Sequence, residues 1–340
     1  MPCIEPDDIG QAALRIRPVA ARTPVLTSHT LNTMTGVEAY LKAEIFQRGG
    51  SFKIRGATNF LYLIPEADRA RGVVAFSSGN HAQAVAIAAR SLGMKSTIIM
   101  PTDAPASKLA ATRAYGAEIV LYDRHKQSRE TIGKGISEQT GATLVPPFDH
   151  PWIIAGQGTC ALELLDEVGE LDALVVPLGG GGLVSGCATI AKAMQPSIRV
   201  FGIEPEAGND YWLSRKAGHA LEIASPDTIA DGLRTTKPGI YTFPIVEDLV
   251  DDIVLVSDDE IRTAMRFLLT RMKIVVEPSG AVGVAALMHA KIPAGLHRIG
   301  VVLSGVPTGC RYGALRERPP MPTVRPANRW TEPGSSRRSR

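Results

Sequence analysis

The sequence predicts an α/β protein of two doubly wound lobes, each built on a mainly parallel sheet. Three observations predict it. Apolar runs rich in Val and Ile recur along the chain, several without polar alternation, as strands buried on both faces of a parallel sheet read. Between them lie segments whose apolar residues recur at the three- and four-residue spacing of a helix. A chain of 340 residues also has room for about two domains at ~150 residues each.

The strands are expected, in order, at 72–77 (GVVAFS), 96–100 (STIIM), 118–122 (EIVLY), 173–178 (ALVVPL), 199–203 (RVFGI) and 299–303 (IGVVL). Helical spacing is clearest at 81–92, 107–115, 158–168 and 258–272. The last of these is announced by Ser257 and Glu260, the residue types of a capping box. Repeated strand–helix alternation of this kind is the pattern of a doubly wound fold. The expected division is a large lobe of residues 1–48 and 150–315, a small mobile lobe of 49–149, and a basic tail at 316–340. That tail is rich in Pro, Arg and Ser and has no hydrophobic period, a composition expected to be disordered.

Charge is unevenly placed. The whole chain carries +3, but the last thirty residues hold eight Arg and two Glu, leaving 29 basic and 32 acidic side chains in residues 1–310. A slightly acidic body argues against a nucleic-acid-binding core. Cys3, Cys160, Cys187 and Cys310 are scattered without metal-like spacing or a disulfide framework. The N-terminus is acidic and lacks a basic-then-apolar signal. Residues 173–191 are uncharged and long enough to span a bilayer, but they contain Pro177 and five glycines. A buried strand feeding a glycine loop explains that run better than a membrane helix. The expected setting is the cytoplasm, with neither membrane nor nucleic acid as partner.

Three segments carry chemistry. Gly179, Gly180, Gly181 and Gly182 follow a strand and precede a small-residue helix. Without Cβ atoms the backbone approaches a ligand closely, and the helix start offers N–H groups and a positive dipole end, so a phosphate fits. The bland alternative is a tight turn needing positive φ, although four glycines exceed what a turn requires. Dinucleotide-binding and Walker spacings are both absent. A second cluster, Ser77-Ser78-Gly79-Asn80-His81, also joins a strand to a helix and suits a carboxylate, or simply caps the helix. The third is Lys53, set among Phe52, Ile54, Ala57, Phe60 and Leu61. It reads either as a snorkelling surface lysine or as a partly desolvated amine suited to Schiff-base chemistry.

Six ordered motifs, SFKIRGA (51–57), SSGNHAQ (77–83), IAGQGT (154–159), PLGGGGL (177–183), EPSGAVG (277–283) and VVLSG (301–305), give a resemblance covering about residues 5–313. The chain resembles the serine/threonine dehydratase and serine racemase family of fold-type-II pyridoxal-phosphate enzymes. The resemblance implies a homodimer using pyridoxal 5'-phosphate. In it Lys53 would carry the cofactor as a Schiff base and then move the Cα proton, and Phe52 would pack beside the ring. Gly179, Gly180, Gly181, Gly182 and Leu183 would cradle the phosphate, Asn80 would bond the ring hydroxyl, and Ser304 would meet the pyridine nitrogen. Ser78, Asn80 and His81 would hold the substrate carboxylate, with Ser77 close by. The implied reaction converts a β-hydroxy L-amino acid such as threonine or serine to a 2-oxo acid and ammonia. Serine racemisation or 3-hydroxyaspartate dehydration is the alternative, and Ser78 permits the former by returning a proton to the face opposite Lys53.

The resemblance also implies a divalent cation held by Glu204, the carbonyl of Gly208 and Asp210. All-oxygen ligation suits Mg2+ or Ca2+, with Mn2+ as a further candidate. Arg129 matches a mobile arginine near the substrate pocket of racemase-like members; read by itself, it is a helix-surface arginine. The chain departs from the family after Ser304, where two glycines and an asparagine give way to Gly305-Val306-Pro307-Thr308-Gly309. That change lies beside the cofactor edge and bears on substrate specificity. Phe148-Asp149-His150-Pro151 follows the threonine dehydratase wording instead. No regulatory module is expected after the catalytic region.

Overall fold

The computed structural model describes residues 3–77 and 79–307. Ser78, Cys310, the altered loop beyond Pro307 and the basic tail at 316–340 lie outside the described residues.

Ten strands are present among these residues: β1 (Val25–Leu26), β2 (Glu38–Ala43), β3 (Val73–Phe76), β4 (Ser96–Pro101), β5 (Glu118–Tyr122), β6 (Thr143–Leu144), β7 (Ala173–Pro177), β8 (Arg199–Pro205), β9 (Asp252–Val256) and β10 (Arg298–Leu303). They form two sheets, ordered β1-β2-β10-β7-β8-β9 and β5-β4-β3-β6. Every pairing is parallel except β1 with β2. All five residues of β7 are buried, which is why this strand reads as a continuous apolar run.

Both sheets reverse their winding where chemistry was expected. In the larger sheet β7 runs on to β8 on one side and has β10 on the other. The smaller sheet does the same at β3, between β4 and β6. Crevices at the carboxyl ends of strands that flank such a switch point are where open α/β sheets bind ligands. The glycine loop leaves β7, Ser304 follows β10, and Ser77–His81 leaves β3.

Helices cover the sheets. The helix Pro151–Val168 packs on both Lys53–Leu63 and Gly182–Met194. Small residues permit this approach: a Cβ on Gly156 would lie 2.7 Å from the Cα of Gly56, and one on Gly158 2.7 Å from the Gly186 carbonyl. The IAGQGT motif therefore serves helix packing, and Gln157 accepts the Gly56 N–H at 3.2 Å. The helix at Asp258–Phe267 has the expected capping box, then widens into a π turn at Leu268–Met272 ended by Lys273 at φ 62°. None of the helices among the described residues is long and apolar enough to cross a membrane.

Candidate active site

Lys53 is the first residue of its helix, and backbone pairing brings it beside the end of β10. Ser51 bridges Gly305, the Phe52 N–H donates to the Ser304 carbonyl at 3.0 Å, and the Val306 N–H donates to Gly50 at 2.8 Å. The Lys53 ammonium donates to the Pro147 carbonyl at 2.7 Å and lies 5.1 Å from the centre of the Phe52 ring. Desolvation lowers its pKa to about 8, with Glu277 pulling the other way. Of the two readings left open by the sequence, this is the desolvated amine.

Two residues on, Arg55 is fully buried and anchors the start of the same helix. Its guanidinium donates to Glu44 at 2.7 and 2.8 Å, to Glu163 at 2.8 and 2.7 Å and to Thr159 at 3.1 Å. Lys42, also buried, donates to Glu163 at 2.7 Å. Burial alone would lower the Arg55 pKa, but the charge of Glu44 and the hydrogen bonds to Glu44 and Glu163 together outweigh it and hold the guanidinium protonated. Two cations and two carboxylates thus close a charge-balanced cluster, buried except at Glu163, at the start of the Lys53 helix.

The glycine loop is closely packed where Cβ atoms would lie. A Cβ on Gly180 would fall within the Phe148 ring, one on Gly182 would lie 2.9 Å from the Phe148 carbonyl, and one on Gly179 3.2 Å from Leu233. Gly181 has φ +86° and caps the helix Gly182–Met194. The loop thus ends in the first turn of a helix, whose N–H groups have no intrahelical acceptor. Leu183 is buried in that turn. The positive φ at Gly181 meets the tight-turn reading, and the helix start beside it is the feature that the phosphate reading requires.

Asn80 begins the helix Asn80–Ser91 and donates to Glu277 Oε1 at 2.9 Å, joining the smaller sheet's helices to the larger sheet's. Glu277 is buried; desolvation, with the Asp231 charge, raises its pKa to about 8. Lys108 bridges to Asp231 at 3.4 Å across the same junction. His81 is buried with Nε2 at 3.2 Å from the Val145 carbonyl, and desolvation, with the Lys53 charge, drives its pKa down to about 3. Its ring is therefore neutral, with Nε2 donating. Toward a carboxylate, what the His81 position offers is the helix-start backbone.

Ser77 and Arg129 meet at a cavity of about 50 Å³, lined also by Ile99, Pro101, Tyr122 and Arg124. Arg129 donates to Glu130 at 2.7 Å and stacks over Phe76 at 5.2 Å. Ser77 accepts the Gly79 N–H at 3.1 Å.

Glu204, at the end of β8, and Asp210 are both buried. Desolvation raises both carboxyls, Asp210 to about 6, and the neighbouring Asp210 pushes Glu204 higher still. Asp210 Oδ2 is buried with no donor. A proton or a cation between the two carboxyls would satisfy it. Gly208 lies in the connecting loop, its N–H on the Pro205 carbonyl at 2.9 Å. No group of three His, Cys, Asp or Glu side chains forms a metal cluster among the described residues, so a cation here would need backbone and water ligands.

Several residues that shape the site have no role that residue type alone reveals. The connecting segment 145–149 supplies the Val145 and Pro147 carbonyls, the Phe148 ring and the Asp149 carboxylate. Asp149 accepts the N–H groups of Ile240, Tyr241 and Thr242 at 2.7, 2.9 and 3.2 Å. Backbone carbonyls leave no mark in residue type, but Asp149 and Glu277 both lie in motifs that stand out in the sequence.

Comparison with known proteins follows this geometry. Residues 16–305 match the family model described as pyridoxal-phosphate dependent enzyme. An L-threo-3-hydroxyaspartate ammonia-lyase of Pseudomonas sp is 53% identical over 298 residues, 88% of this chain and 93% of that one. A serine racemase of Schizosaccharomyces pombe is 51% identical over 299 residues, with the same coverage of 88% and 93%. The solved structure of maize serine racemase superposes with a TM-score of 0.87 at 43% identity, covering 89% of this chain and 94% of that one.

Proposed function

The chain belongs to the pyridoxal-phosphate-dependent enzymes, and on that premise we propose that it is an ammonia-lyase converting a β-hydroxy L-amino acid to a 2-oxo acid and ammonia. The observation that carries this reading is Lys53, a desolvated amine at the junction of the two sheets, beside the end of β10 and the segment that follows β6. The residues fit the cofactor: a glycine cradle that admits no Cβ, a helix start for the phosphate, and an amine able to lose its proton near neutrality.

Pyridoxal phosphate, when bound, supplies an electron sink that acidifies the substrate Cα–H. Gly179, Gly180, Gly181, Gly182 and Leu183 would hold its phosphate by backbone N–H groups, Phe52 would lie beside the ring, and Asn80 and Ser304 would meet its polar groups. The Pro147 carbonyl steadies Lys53 Nζ, and that nitrogen removes the Cα proton. Backbone N–H groups at Asn80 and His81, with Ser77 and Ser78, receive the substrate carboxylate. The β-hydroxyl then departs as water, its proton matching the one that Lys53 took from Cα, and hydrolysis of the released enamine yields the 2-oxo acid and ammonia.

Among β-hydroxy amino acids, the cavity of Ser77, Arg124 and Arg129 favours a second carboxylate, hence a 3-hydroxyaspartate. The relative of that printed activity supports the same choice. The partnerless Asp210 Oδ2 beside Glu204 supports a divalent cation, Mg2+, Ca2+ or Mn2+, completed by the Gly208 carbonyl and water. A cytoplasmic homodimer with residues 49–149 as its mobile lobe completes the reading.

The deciding experiment measures 2-oxo acid from L-serine, L-threonine and L-threo-3-hydroxyaspartate, with chiral analysis of recovered serine. The dicarboxylate should be turned over best, Lys53→Ala should abolish turnover, and Arg129→Ala should lower kcat/KM for the dicarboxylate about 100-fold while sparing L-serine. Turnover surviving Lys53→Ala would sink the lyase reading. Recovery of D-serine without 2-oxo acid would make the protein a racemase instead.

A further inference from the structure

We propose that Tyr211 is a positioning residue that couples the Glu204–Asp210 carboxylate pair to the grip of the glycine loop on the cofactor phosphate. The proposal rests on the cation reading given above and adds a consequence to it.

Tyr211 is buried and is bound at both ends. Its backbone N–H donates to Glu204 Oε1 at 3.1 Å, while the Trp212 N–H donates to Glu204 Oε2 at 3.0 Å. Both oxygens of Glu204 therefore hold the first turn of the helix Asp210–Ala217. At the far end, the Tyr211 hydroxyl lies 3.0 Å from the Gly180 carbonyl and 2.7 Å from Thr242 Oγ1. Thr242 Oγ1 in turn lies 3.0 Å from the same carbonyl, and the Gly239 N–H points at the Tyr211 oxygen at 3.4 Å. Two hydroxyl protons serve three contacts. One hydroxyl donates to Gly180 while the other donates to its neighbour.

This anchoring determines where the loop's donors point. In a trans peptide the C=O and the following N–H are held in opposite directions in one plane. Fixing the Gly180 carbonyl against Tyr211 and Thr242 therefore turns the Gly181 N–H away from them. The fit has no slack, because a Cβ on Gly181 would overlap the Tyr211 hydroxyl. A cation drawn between Glu204 and Asp210 pulls on the Glu204 carboxylate, and with it on the two N–H groups it holds. The rigid phenol ring carries that pull to the loop.

The test measures pyridoxal phosphate dissociation from the holoenzyme by equilibrium dialysis, with Mn2+ or with EDTA. Mn2+ binding is followed in parallel by electron paramagnetic resonance. Wild type should hold the cofactor about tenfold more tightly with Mn2+, and by linkage the cofactor should tighten Mn2+ by the same factor. Tyr211→Phe keeps the ring and the Glu204 contact, so it should still bind Mn2+ while the factor falls to about one. Thr242→Val, which leaves the ring untouched, should lower the factor as well. A merely structural tyrosine would weaken binding with and without Mn2+ equally and leave the ratio unchanged, and that result overturns the proposal. Wild type that binds Mn2+ without any change in cofactor affinity overturns it too. Wild type that binds no Mn2+ overturns the underlying cation reading, a failure the resonance signal separates from the other two.

Discussion

Replacing Arg55 with methionine should expose how much the cluster at the start of the Lys53 helix depends on charge balance. Methionine keeps most of the side-chain volume but removes the donors to Glu44 at 2.7 and 2.8 Å and to Glu163 at 2.8 and 2.7 Å. Glu163 is partly exposed and keeps Lys42 at 2.7 Å. Glu44 is fully buried and, among the described residues, keeps only the Thr23 hydroxyl at 2.5 Å. The cost is therefore that of stranding one buried carboxylate, about 3–5 kcal/mol. Against a total stability of about 5–15 kcal/mol that is a severe loss. Glu44→Gln alone, with Arg55 still paired to Glu163, should cost about 1–3 kcal/mol. Combining the two removes the stranded charge, so the double variant should be more stable than Arg55→Met by about 2 kcal/mol. Urea midpoints of the four proteins, compared at a common slope, close the cycle. A double variant no more stable than Arg55→Met would refute the reasoning, because Glu44 would then not be the stranded group.

Three further outcomes are expected. His81 has an ordinary pKa of 6.5 and a folded value of about 3, so the unfolded chain binds a proton below pH 6.5 that the native chain refuses; stability is full above 6.5, falls by about 2 kcal/mol from His81 alone between pH 7 and 5, and His81→Gln should flatten that slope in urea titrations. Lys53, lowered to about 8 from 10.5, should be neutral about 200-fold more often at pH 7.5 than an exposed lysine. Borohydride trapping of pyridoxal phosphate onto the cofactor-free enzyme should then rise through pH 8, and a midpoint above 9.5 would contradict this. Gly180→Ala places a methyl in the Phe148 ring and should weaken cofactor retention at least about tenfold by dialysis, whereas unchanged retention would mean that Phe148 yields freely.

Much of the fold was legible because burial on both faces leaves a plain signature. The strand at Glu118–Tyr122 has its expected ends, and those at Ala173–Pro177 and Arg298–Leu303 each differ from expectation by one residue. Glu38–Ala43 escaped notice because its Lys42 suggests a surface, yet that lysine is buried and paired with Glu163. The helix expected from 158 begins at Pro151, where His150 caps it through its ring nitrogen, an uncommon capping group. At the site, Lys53, the four glycines and Asn80 stood out by residue type at strand–helix junctions. Pro147, Thr242 and Tyr211 did not, since their roles depend on partners 94, 62 and 31 positions away in sequence.

Segments that join lobes usually tolerate changes of length. Residues 145–149 should be the opposite. Val145 receives His81 and itself donates to Val74, Pro147 receives Lys53, Phe148 packs against the glycine loop, and Asp149 gathers three N–H groups. One inserted residue adds up to roughly 3.3 Å of chain and moves these groups out of register with their partners. No shifted register can then serve both lobes. In lineages descended from this chain, drift in length should accumulate in surface turns, while the span between Val145 and Asp149 stays fixed in count even where its residue types change.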